Sequence, residues 1–202
     1  MIYGLRRASF RKPKMTKTKN PLQIIGLVGP AGAGKSAVAK ILANTHGYRI
    51  APMAGPLKKM LIAGGLSHED VYGAHKERPS PLLGGATPRR AMQTLGTEWG
   101  RDLIHPDIWV NMWTDAYEKV CGGSAWMRRQ PLVADDVRFE NEVAAIKQLG
   151  GTIVEVKRPH YGYGTGHRSE GGLAKADRFI TNAGDLDLLQ AQVDIFLGPS
   201  RV

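Results

Sequence analysis

Cysteine is almost absent from this sequence, and long apolar runs are absent altogether. The chain of 202 residues has one cysteine, Cys121, so neither an internal disulfide nor a zinc site built from several cysteines can form. No apolar run reaches the roughly 18 residues that a membrane-spanning helix needs. The basic N-terminus is not followed by the apolar segment of a secretory signal. Together these absences predict a protein of the reducing cytoplasm with no membrane partner.

Acidic residues are missing from positions 1–20, which hold seven of the 28 lysines and arginines. We expect a disordered basic tail there, because the segment combines one sign of charge with little apolar content. A nucleic-acid-binding arm, a solvated leader and a later start at Met15 are all open interpretations of the tail. Residues 21–202 carry 21 basic and 18 acidic side chains, so the formal charge of +10 does not make nucleic acid the main expected partner.

Apolar segments of strand length alternate with segments of helical periodicity along residues 21–202, which we expect to form one domain. This alternation predicts an α/β fold with a parallel sheet covered by helices on both faces. Two segments rich in glycine, 64–88 and 160–172, are predicted to be long loops. Ligands of such sheets bind beyond the carboxyl ends of the strands.

Three helices are predicted between the two glycine-rich segments, at about 87–104, 105–123 and 139–151. Thr87 is the expected N-cap of the first helix, with Pro88 in its first turn. In the second helix, Ile108, Met112 and Tyr117 are expected to share the buried face.

The sequence GPAGAGKS at Gly29–Ser36 follows a predicted strand and precedes a predicted helix. This G-x-x-x-x-G-K-[ST] pattern is typical of a loop whose backbone N–H groups cradle the phosphates of a nucleotide. We expect Lys35 to reach the β- and γ-phosphates of ATP and the Ser36 hydroxyl to bind Mg²⁺. The candidate nucleotide-binding residues are Gly29, Ala31, Gly32, Ala33, Gly34, Lys35, Ser36 and Ala37.

Such sites also need a carboxylate near Mg²⁺, and Asp135 and Asp136 follow a further predicted strand. Adjacent strand residues point to opposite faces, so we expect only one of them to reach the metal. Asp136 is favoured because it lies nearer the carboxyl end of the strand. Arg138 is the candidate for stabilising a transferred phosphoryl group, since negative charge spreads over the oxygens of that group.

Several further segments follow the phosphate-loop motif along the chain. They are AGPLKKML, RRAMQTLGTEWGRDLIHPDIWV, VADDVRFENEVAAIKQLGGTIVEVKRP, HRSE and ITNAGDLDLL. With GPAGAGKS they resemble the deoxynucleoside monophosphate kinases of bacteriophages, within the P-loop nucleoside monophosphate kinase group. The resemblance covers most of residues 22–197, and MQTLGTEWGR and DVRFENE are its more specific parts.

The resemblance implies a three-layer P-loop kinase fold with a parallel sheet, a helical acceptor-binding region at about 52–120 and a lid at about 158–176. ATP with Mg²⁺ would be the phosphate donor, and a deoxynucleoside monophosphate (dNMP) would be the acceptor. The implied product pair is ADP and a deoxynucleoside diphosphate.

The resemblance also implies roles for particular residues. Lys35, Arg138, Arg158 and Arg168 would be catalytic, the last two in the lid, and Asn182 and Gly184 would pass near the adenine of ATP. Trp109 can offer a flat face to the acceptor base, although a core position is the other interpretation of this residue. The implied acceptor site comprises Lys58, Arg90, Gln93, Thr97, Glu98, Arg101, Trp109, Asp136, Arg138, Asn141 and Glu142.

Two alternatives are open on the sequence. The first is a P-loop kinase for another small acceptor, such as dephospho-coenzyme A, because the phosphate loop does not identify the acceptor. The second is a nucleic-acid-binding ATPase that uses the basic tail. The accepted bases are left open, as is the oligomeric state, a homodimer included.

Overall fold

A single sheet of five parallel strands, in the order β2-β3-β1-β4-β5, forms the centre of the protein. The computed structural model describes residues 24–122, 131–159 and 176–198, without the side chains of residues 120–122. The predicted α/β fold with a parallel sheet is confirmed. The carboxyl ends of its strands lie at one edge of the sheet. The strands are β1 (Ile24–Val28), β2 (Arg49–Ile50), β3 (Leu132–Ala134), β4 (Thr152–Lys157) and β5 (Arg178–Thr181).

Helices occupy much of the rest of the described chain. A π-helix, Leu95–Ile104, follows α4 directly, and two short 3₁₀-helices, Ala74–Glu77 and Pro81–Leu83, lie between α3 and α4. None of the helices within the three described ranges is long and apolar enough to cross a bilayer. The α-helices are α1 (Lys35–His46), α2 (Gly55–Ala63), α3 (His68–Tyr72), α4 (Pro88–Thr94), α5 (Ile108–Gly122), α6 (Glu140–Gln148) and α7 (Leu186–Leu197).

Every one of the five residues of the central strand β1 is buried, because both faces of the strand are covered. Ile25 and Leu27 belong to the apolar cluster that includes residues of α1 and α7. Ile24 and Val28 point the opposite way, into the cluster that includes residues of α5 and α6. This continuous burial is typical of a strand inside a parallel sheet covered on both faces.

The segment between α2 and α4 is not the long loop that its glycines and prolines predict. Ser67 and Asp70 begin α3 with a reciprocal cap, in which Asp70 N–H donates to Ser67 Oγ over 3.1 Å and Ser67 N–H donates to Asp70 Oδ2 over 2.9 Å. The loop prediction is therefore wrong at the helical residues 68–72, 74–77 and 81–83. The S-x-x-D pattern of this cap is a known helix-start signal, so the sequence did contain the correct information.

Helix α4 begins as predicted, since Thr87 Oγ1 accepts from Arg90 N–H over 3.2 Å and Pro88 lies in the first turn. The predicted apolar face of α5 is confirmed at Tyr117, which packs against a buried cluster, and is wrong at Met112. Trp109, Val110 and Trp113 are buried there, whereas Met112 is 39% exposed. The two tryptophans have polar partners in the interior, because Trp109 Nε1 donates to Gly96 O (2.6 Å) and Trp113 Nε1 donates to Ala51 O (2.8 Å).

Candidate active site

The loop between β1 and α1 is built around three glycines with positive φ. Gly29, Gly32 and Gly34 have φ values of +139°, +78° and +102°, which residues other than glycine rarely adopt. A Cβ at Gly29 would lie 2.5 Å from Val156 O, and a Cβ at Gly34 would overlap the side-chain amide of Asn182. Glycine is therefore required at both positions by conformation and by close packing.

Three predicted residues from different elements bond to the carbonyl groups of this loop. Lys35 Nζ donates to Gly29 O over 2.6 Å and to Pro30 O over 2.9 Å. Arg158 Nη1, just beyond β4, donates to Gly32 O over 3.1 Å, and Asn182 Nδ2, just beyond β5, donates to Ala33 O over 2.9 Å. The structure thus brings the ends of β1, β4 and β5 together at the phosphate loop.

The remaining residues predicted to bind the nucleotide lie nearby or outside the described ranges. Ala31 is exposed on the loop, and Ala37 lies in the first turn of α1. Gly184 lies just before α7, where an added Cβ would contact Leu188. Arg168 and residues 160–175 of the expected lid lie outside the described residues, as does the basic tail, 1–20.

Asp135 and Asp136 have separate partners. Ser36 Oγ donates to Asp135 Oδ2 over 3.1 Å, so Asp135 is the carboxylate beside the phosphate loop. Asp136 instead accepts the backbone N–H groups of Met53 (2.6 Å) and Ala54 (3.0 Å), at the N-terminus of α2. The two carboxylates diverge, as expected for adjacent residues, but the structure places Asp135, and not the favoured Asp136, beside Ser36. Both aspartates lie beyond the end of the strand at Ala134, so nearness to its carboxyl end does not decide between them.

Burial raises the pKa of the Asp135 carboxyl above its usual value, and the neighbouring Asp136 charge raises it further. The Ser36 hydroxyl and the Lys58 charge oppose this rise. A buried carboxylate next to another carboxylate is a position where a cation is favoured.

A cavity of about 200 Å³ lies next to these carboxylates, enclosed by α2, α4, the π-helix, α5 and the segment that follows β3. Of the expected acceptor residues, Arg90 and Glu98 are exposed and, like Asn141, do not line it. Lys76 and Arg89 do line it and were not predicted. The lining residues are Met53, Ala54, Leu57, Lys58, Lys76, Arg89, Met92, Gln93, Gly96, Thr97, Arg101, Trp109, Asp136, Arg138, Phe139 and Glu142.

Five cations line the cavity, and four of them, Lys58, Lys76, Arg89 and Arg138, come from four separate chain segments outside the π-helix. Burial lowers the pKa of the Lys76 ammonium below its ordinary value, and the charges of Lys58, Arg89 and Arg138 lower it further. Converging positive charge that is partly removed from water favours a bound anion.

The fifth cation of the cavity, Arg101, is paired with Glu142 in the interior. Arg101 and Glu142 are 7% and 3% exposed, and Arg101 Nη2 lies 2.5 Å from Glu142 Oε1. The Arg101 guanidinium also donates to Pro106 O over 2.9 Å and stacks 3.8 Å above the centre of the Phe139 ring. Arg101 therefore joins the π-helix to the start of α6 at the edge of the cavity.

Glu142 continues this connection toward Arg138. Its Oε2 atom accepts the backbone N–H of Arg138 over 2.7 Å and that of Phe139 over 3.1 Å. Burial raises the pKa of the Glu142 carboxyl to about 7, although these N–H groups and Arg101 favour the ionised form. Glu142 is thus the residue that fixes the backbone at Arg138.

Asn141 has a similar internal role. Its Nδ2 donates to Asp107 Oδ1 over 2.7 Å and to Pro106 O over 3.0 Å. These bonds hold the start of α5 against α6. Arg101, Asn141 and Glu142 are expected to bind the acceptor directly. Their side chains bond to one another and to the backbone, and those of Arg101 and Glu142 also line the cavity.

Arg89 could have been found from helical spacing. Arg89, Gln93 and Thr97 follow one another at intervals of four residues, which places them on one face of a helix. Arg90 falls on the neighbouring face with the exposed Thr94. No local pattern identifies Lys76, because its approach to the cavity depends on the tertiary placement of residues 68–77.

No group of three or more His, Cys, Asp or Glu side chains comes together in the described part of the chain in a way that could hold a metal ion. The oxygen atoms next to the phosphate loop are those of Ser36 and Asp135. A hydroxyl and one carboxylate suit Mg²⁺ that is shared with phosphate oxygens, and they do not suit a metal held by protein alone.

Comparison with known proteins identifies the family. A family model described as deoxynucleotide monophosphate kinase matches residues 86–193. A protein of Acanthamoeba polyphaga mimivirus assigned as a deoxynucleotide monophosphate kinase is 35% identical over 162 residues, which are 73% of this chain and 80% of the relative. The deoxynucleotide monophosphate kinase of Enterobacteria phage T4 is 30% identical over 108 residues, 52% of this chain and 43% of the relative. The chain belongs to the deoxynucleotide monophosphate kinase family.

Proposed function

We propose that this protein transfers the γ-phosphoryl group of ATP to the 5′-phosphate of a dNMP, which yields ADP and a deoxynucleoside diphosphate. One observation carries the proposal: a cavity lined by five cations adjoins a phosphate loop, and Asp135 and Asp136 lie where the two meet. Two phosphate-bearing molecules can thus lie side by side. Family membership supports a nucleotide acceptor over dephospho-coenzyme A. We place the reaction in the cytoplasm.

The loop at Gly29–Ser36 suits the triphosphate of ATP. Its three positive-φ glycines leave room for backbone N–H groups to face a phosphate, and Lys35 adds a charge at the same place. Ser36 and Asp135 would hold Mg²⁺, which when bound neutralises charge on the β- and γ-phosphate oxygens. Asp136 is not needed as a ligand in this proposal, because both of its oxygens accept backbone N–H groups of α2.

In the proposed step, an oxygen of the acceptor 5′-phosphate attacks the γ-phosphorus in line. The bond from that phosphorus to the β–γ bridging oxygen breaks, and ADP leaves. A phosphate oxygen is already a nucleophile, so no general base is required. The protein contributes position and charge: Lys35 and Arg138 stabilise the transferred group, and Arg158, bonded to Gly32, adds charge on the donor side. We propose the same role for Arg168.

The less charged part of the cavity suits the nucleoside of the acceptor. Gln93 offers an amide to the edge of a base, and Thr97 offers a hydroxyl. Trp109 is 2% exposed and its Nε1 is bonded to Gly96, so it forms part of the wall rather than a free stacking surface.

A coupled assay of ADP release tests the function. ATP and Mg²⁺ are supplied with dAMP, dGMP, dCMP, dTMP, AMP or dephospho-coenzyme A in parallel. We expect ADP release with one or more of the four dNMPs, and product analysis should show the matching diphosphate. Turnover with dephospho-coenzyme A alone would move the chain to another acceptor class. ADP release that needs DNA and no small acceptor would contradict the kinase proposal.

A further inference from the structure

Asn182 joins the end of β5 to the phosphate loop. Its side-chain Nδ2 donates to Ala33 O over 2.9 Å, and its backbone N–H donates to Lys157 O, at the end of β4, over 2.7 Å. We propose that Asn182 is a positioning residue for the donor phosphates, which acts by fixing the orientation of the peptide between Ala33 and Gly34. This role rests on the proposed function, and it differs from the one that the family resemblance implies, in which Asn182 lies near the adenine of ATP.

The peptide between Ala33 and Gly34 presents one N–H group in front of α1. The C=O and the N–H of a trans peptide point in opposite directions, and no peptide bond of the described chain is cis. Because Asn182 bonds to the C=O, the Gly34 N–H is directed away from Asn182. No atom of the described residues accepts this N–H, as is usual at the first turn of a helix. A phosphate at the N-terminus of α1 can accept it.

Glycine makes this peptide easy to rotate, so its orientation needs an external restraint. Gly34 has a φ of +102°, and glycine adopts positive and negative φ about equally readily. The Asn182 side chain packs directly against it, since a Cβ at Gly34 would lie 2.4 Å from Nδ2 and 3.3 Å from Cγ of Asn182. The hydrogen bond and this contact together oppose rotation of the peptide. The direction of the N–H is therefore set before a nucleotide binds, which lowers the cost of ordering the loop on binding.

The chemistry of a side-chain amide suits positioning rather than direct attraction of phosphate. Arg158 bonds to the neighbouring carbonyl, Gly32 O, but its guanidinium also carries a charge that attracts phosphate directly. Asn182 is uncharged, and its donor nitrogen is bonded to the loop. The effect of Asn182 on ATP should therefore pass through the loop and concern the phosphates.

The test separates the phosphates of ATP from its nucleoside. Dissociation constants for ATP, inorganic tripolyphosphate and adenosine would be measured at one fixed Mg²⁺ concentration, by displacement of a fluorescent ATP derivative. The variants are Asn182→Leu, which keeps the shape of the side chain without its donor, and Asn182→Asp, which places an oxygen opposite Ala33 O. The control is Gln190→Ala, because the Gln190 amide accepts from Thr45 Oγ1 over 3.2 Å, at the end of α1 far from the loop. Urea denaturation would verify that each variant is folded.

We expect the dissociation constants of ATP and tripolyphosphate to rise together in both Asn182 variants. The rise should be about 3- to 10-fold in Asn182→Leu, as for the loss of one neutral hydrogen bond, and larger in Asn182→Asp, whose charge repels phosphate. The constant for adenosine should stay within about twofold of wild type, as should all three constants in the control.

Weaker adenosine binding with unchanged tripolyphosphate binding would overturn the positioning role, because it would place Asn182 at the nucleoside. Unchanged binding of all three ligands, equal weakening of all three, or an equal loss in Gln190→Ala would also overturn it. The proposed function fails separately. A protein that binds ATP but phosphorylates no dNMP would refute the kinase proposal and leave the role of Asn182 at the loop intact.

Discussion

The buried ion pair between Arg101 and Glu142 allows a prediction in which stability and catalysis respond differently. Both side chains are almost fully buried, and the pair joins the π-helix to the turn that carries Arg138. Removing one partner of such a pair leaves an uncompensated buried charge, which typically costs about 3–5 kcal/mol. We therefore expect Arg101→Met and Glu142→Met each to lower the free energy of unfolding by about that amount at pH 8.

The double variant should recover much of this loss, because replacing both members of a buried pair by apolar groups is often close to neutral. Catalysis should not recover with it. The backbone N–H groups of Arg138 and Phe139 lose their acceptor whenever Glu142 is replaced, so Arg138 is no longer held. We expect kcat to stay low in the double variant while the KM for ATP is little changed.

The cost of Arg101→Met should also depend on pH. Burial raises the pKa of Glu142 to about 7, above its ordinary 4.5. Because the folded-state value is the higher one, the group favours folding most below about pH 4.5, and this contribution is lost as the pH rises through 7. Loss of the Arg101 charge raises the folded-state pKa further, so the penalty of Arg101→Met should be larger at pH 8 than at pH 5.5.

Urea denaturation at pH 5.5 and pH 8, combined with steady-state kinetics, measures these effects. The exposed pair Asp115–Lys119 is the control, and Asp115→Asn should cost no more than about 0.5 kcal/mol at either pH. A cost of less than about 1 kcal/mol for Arg101→Met at pH 8 would contradict a stabilising buried ion pair. Single penalties that simply add in the double variant, or a kcat that recovers there, would contradict the coupling of the pair to Arg138.

Three further predictions concern the donor side. Lys35→Ala should lower kcat by at least about 100-fold with an unchanged unfolding curve, whereas Lys40→Ala, exposed on the same helix, should leave kcat at the wild-type value. Asp135→Asn and Ser36→Ala should each raise the Mg²⁺ concentration that gives half-maximal activity. Asp136→Asn should leave that concentration unchanged. Because Asp136 caps α2, the same variant should lower the free energy of unfolding by about 1 kcal/mol. Gly34→Ala should abolish measurable ATP binding in a titration, because the residue has a positive φ and its new Cβ would overlap Asn182. The control is Gly47→Ala, at a residue that has a φ of +69° with open space around it. This variant should lower the free energy of unfolding by only about 1 kcal/mol and leave ATP binding intact.

Features encoded by neighbouring residues were predicted well from the sequence. The phosphate loop and the N-cap at Thr87 each depend on a few consecutive positions. The parallel sheet followed from the alternation of apolar segments. These features are local, so tertiary packing has little opportunity to override them.

The lining of the cavity was predicted less completely, because packing between distant segments decides which residues reach it. Arg101 and Glu142 are 41 positions apart, and nothing near either residue indicates that they neutralise each other. Lys76 reaches the cavity only because α3 and the 3₁₀-helix hold it there. A lysine or arginine chosen from the sequence is thus only a candidate for binding an anion. Its burial and its ion-pair partners in the folded protein decide whether its charge is available to that anion.

The turn after β3 explains how the two halves of the site can be aligned by one short piece of chain. Asp135 contacts Ser36 on the phosphate loop, and the next residue, Asp136, caps α2 beside the cavity. Arg138 lines the cavity, and Phe139 supports Arg101. In-line transfer tolerates little error in the distance between donor and acceptor. Residues 135–139 contact both the phosphate loop and the cavity, so a displacement of this turn moves the two sets of contacts together. The geometry between them then changes less than it would if two independent loops made these contacts.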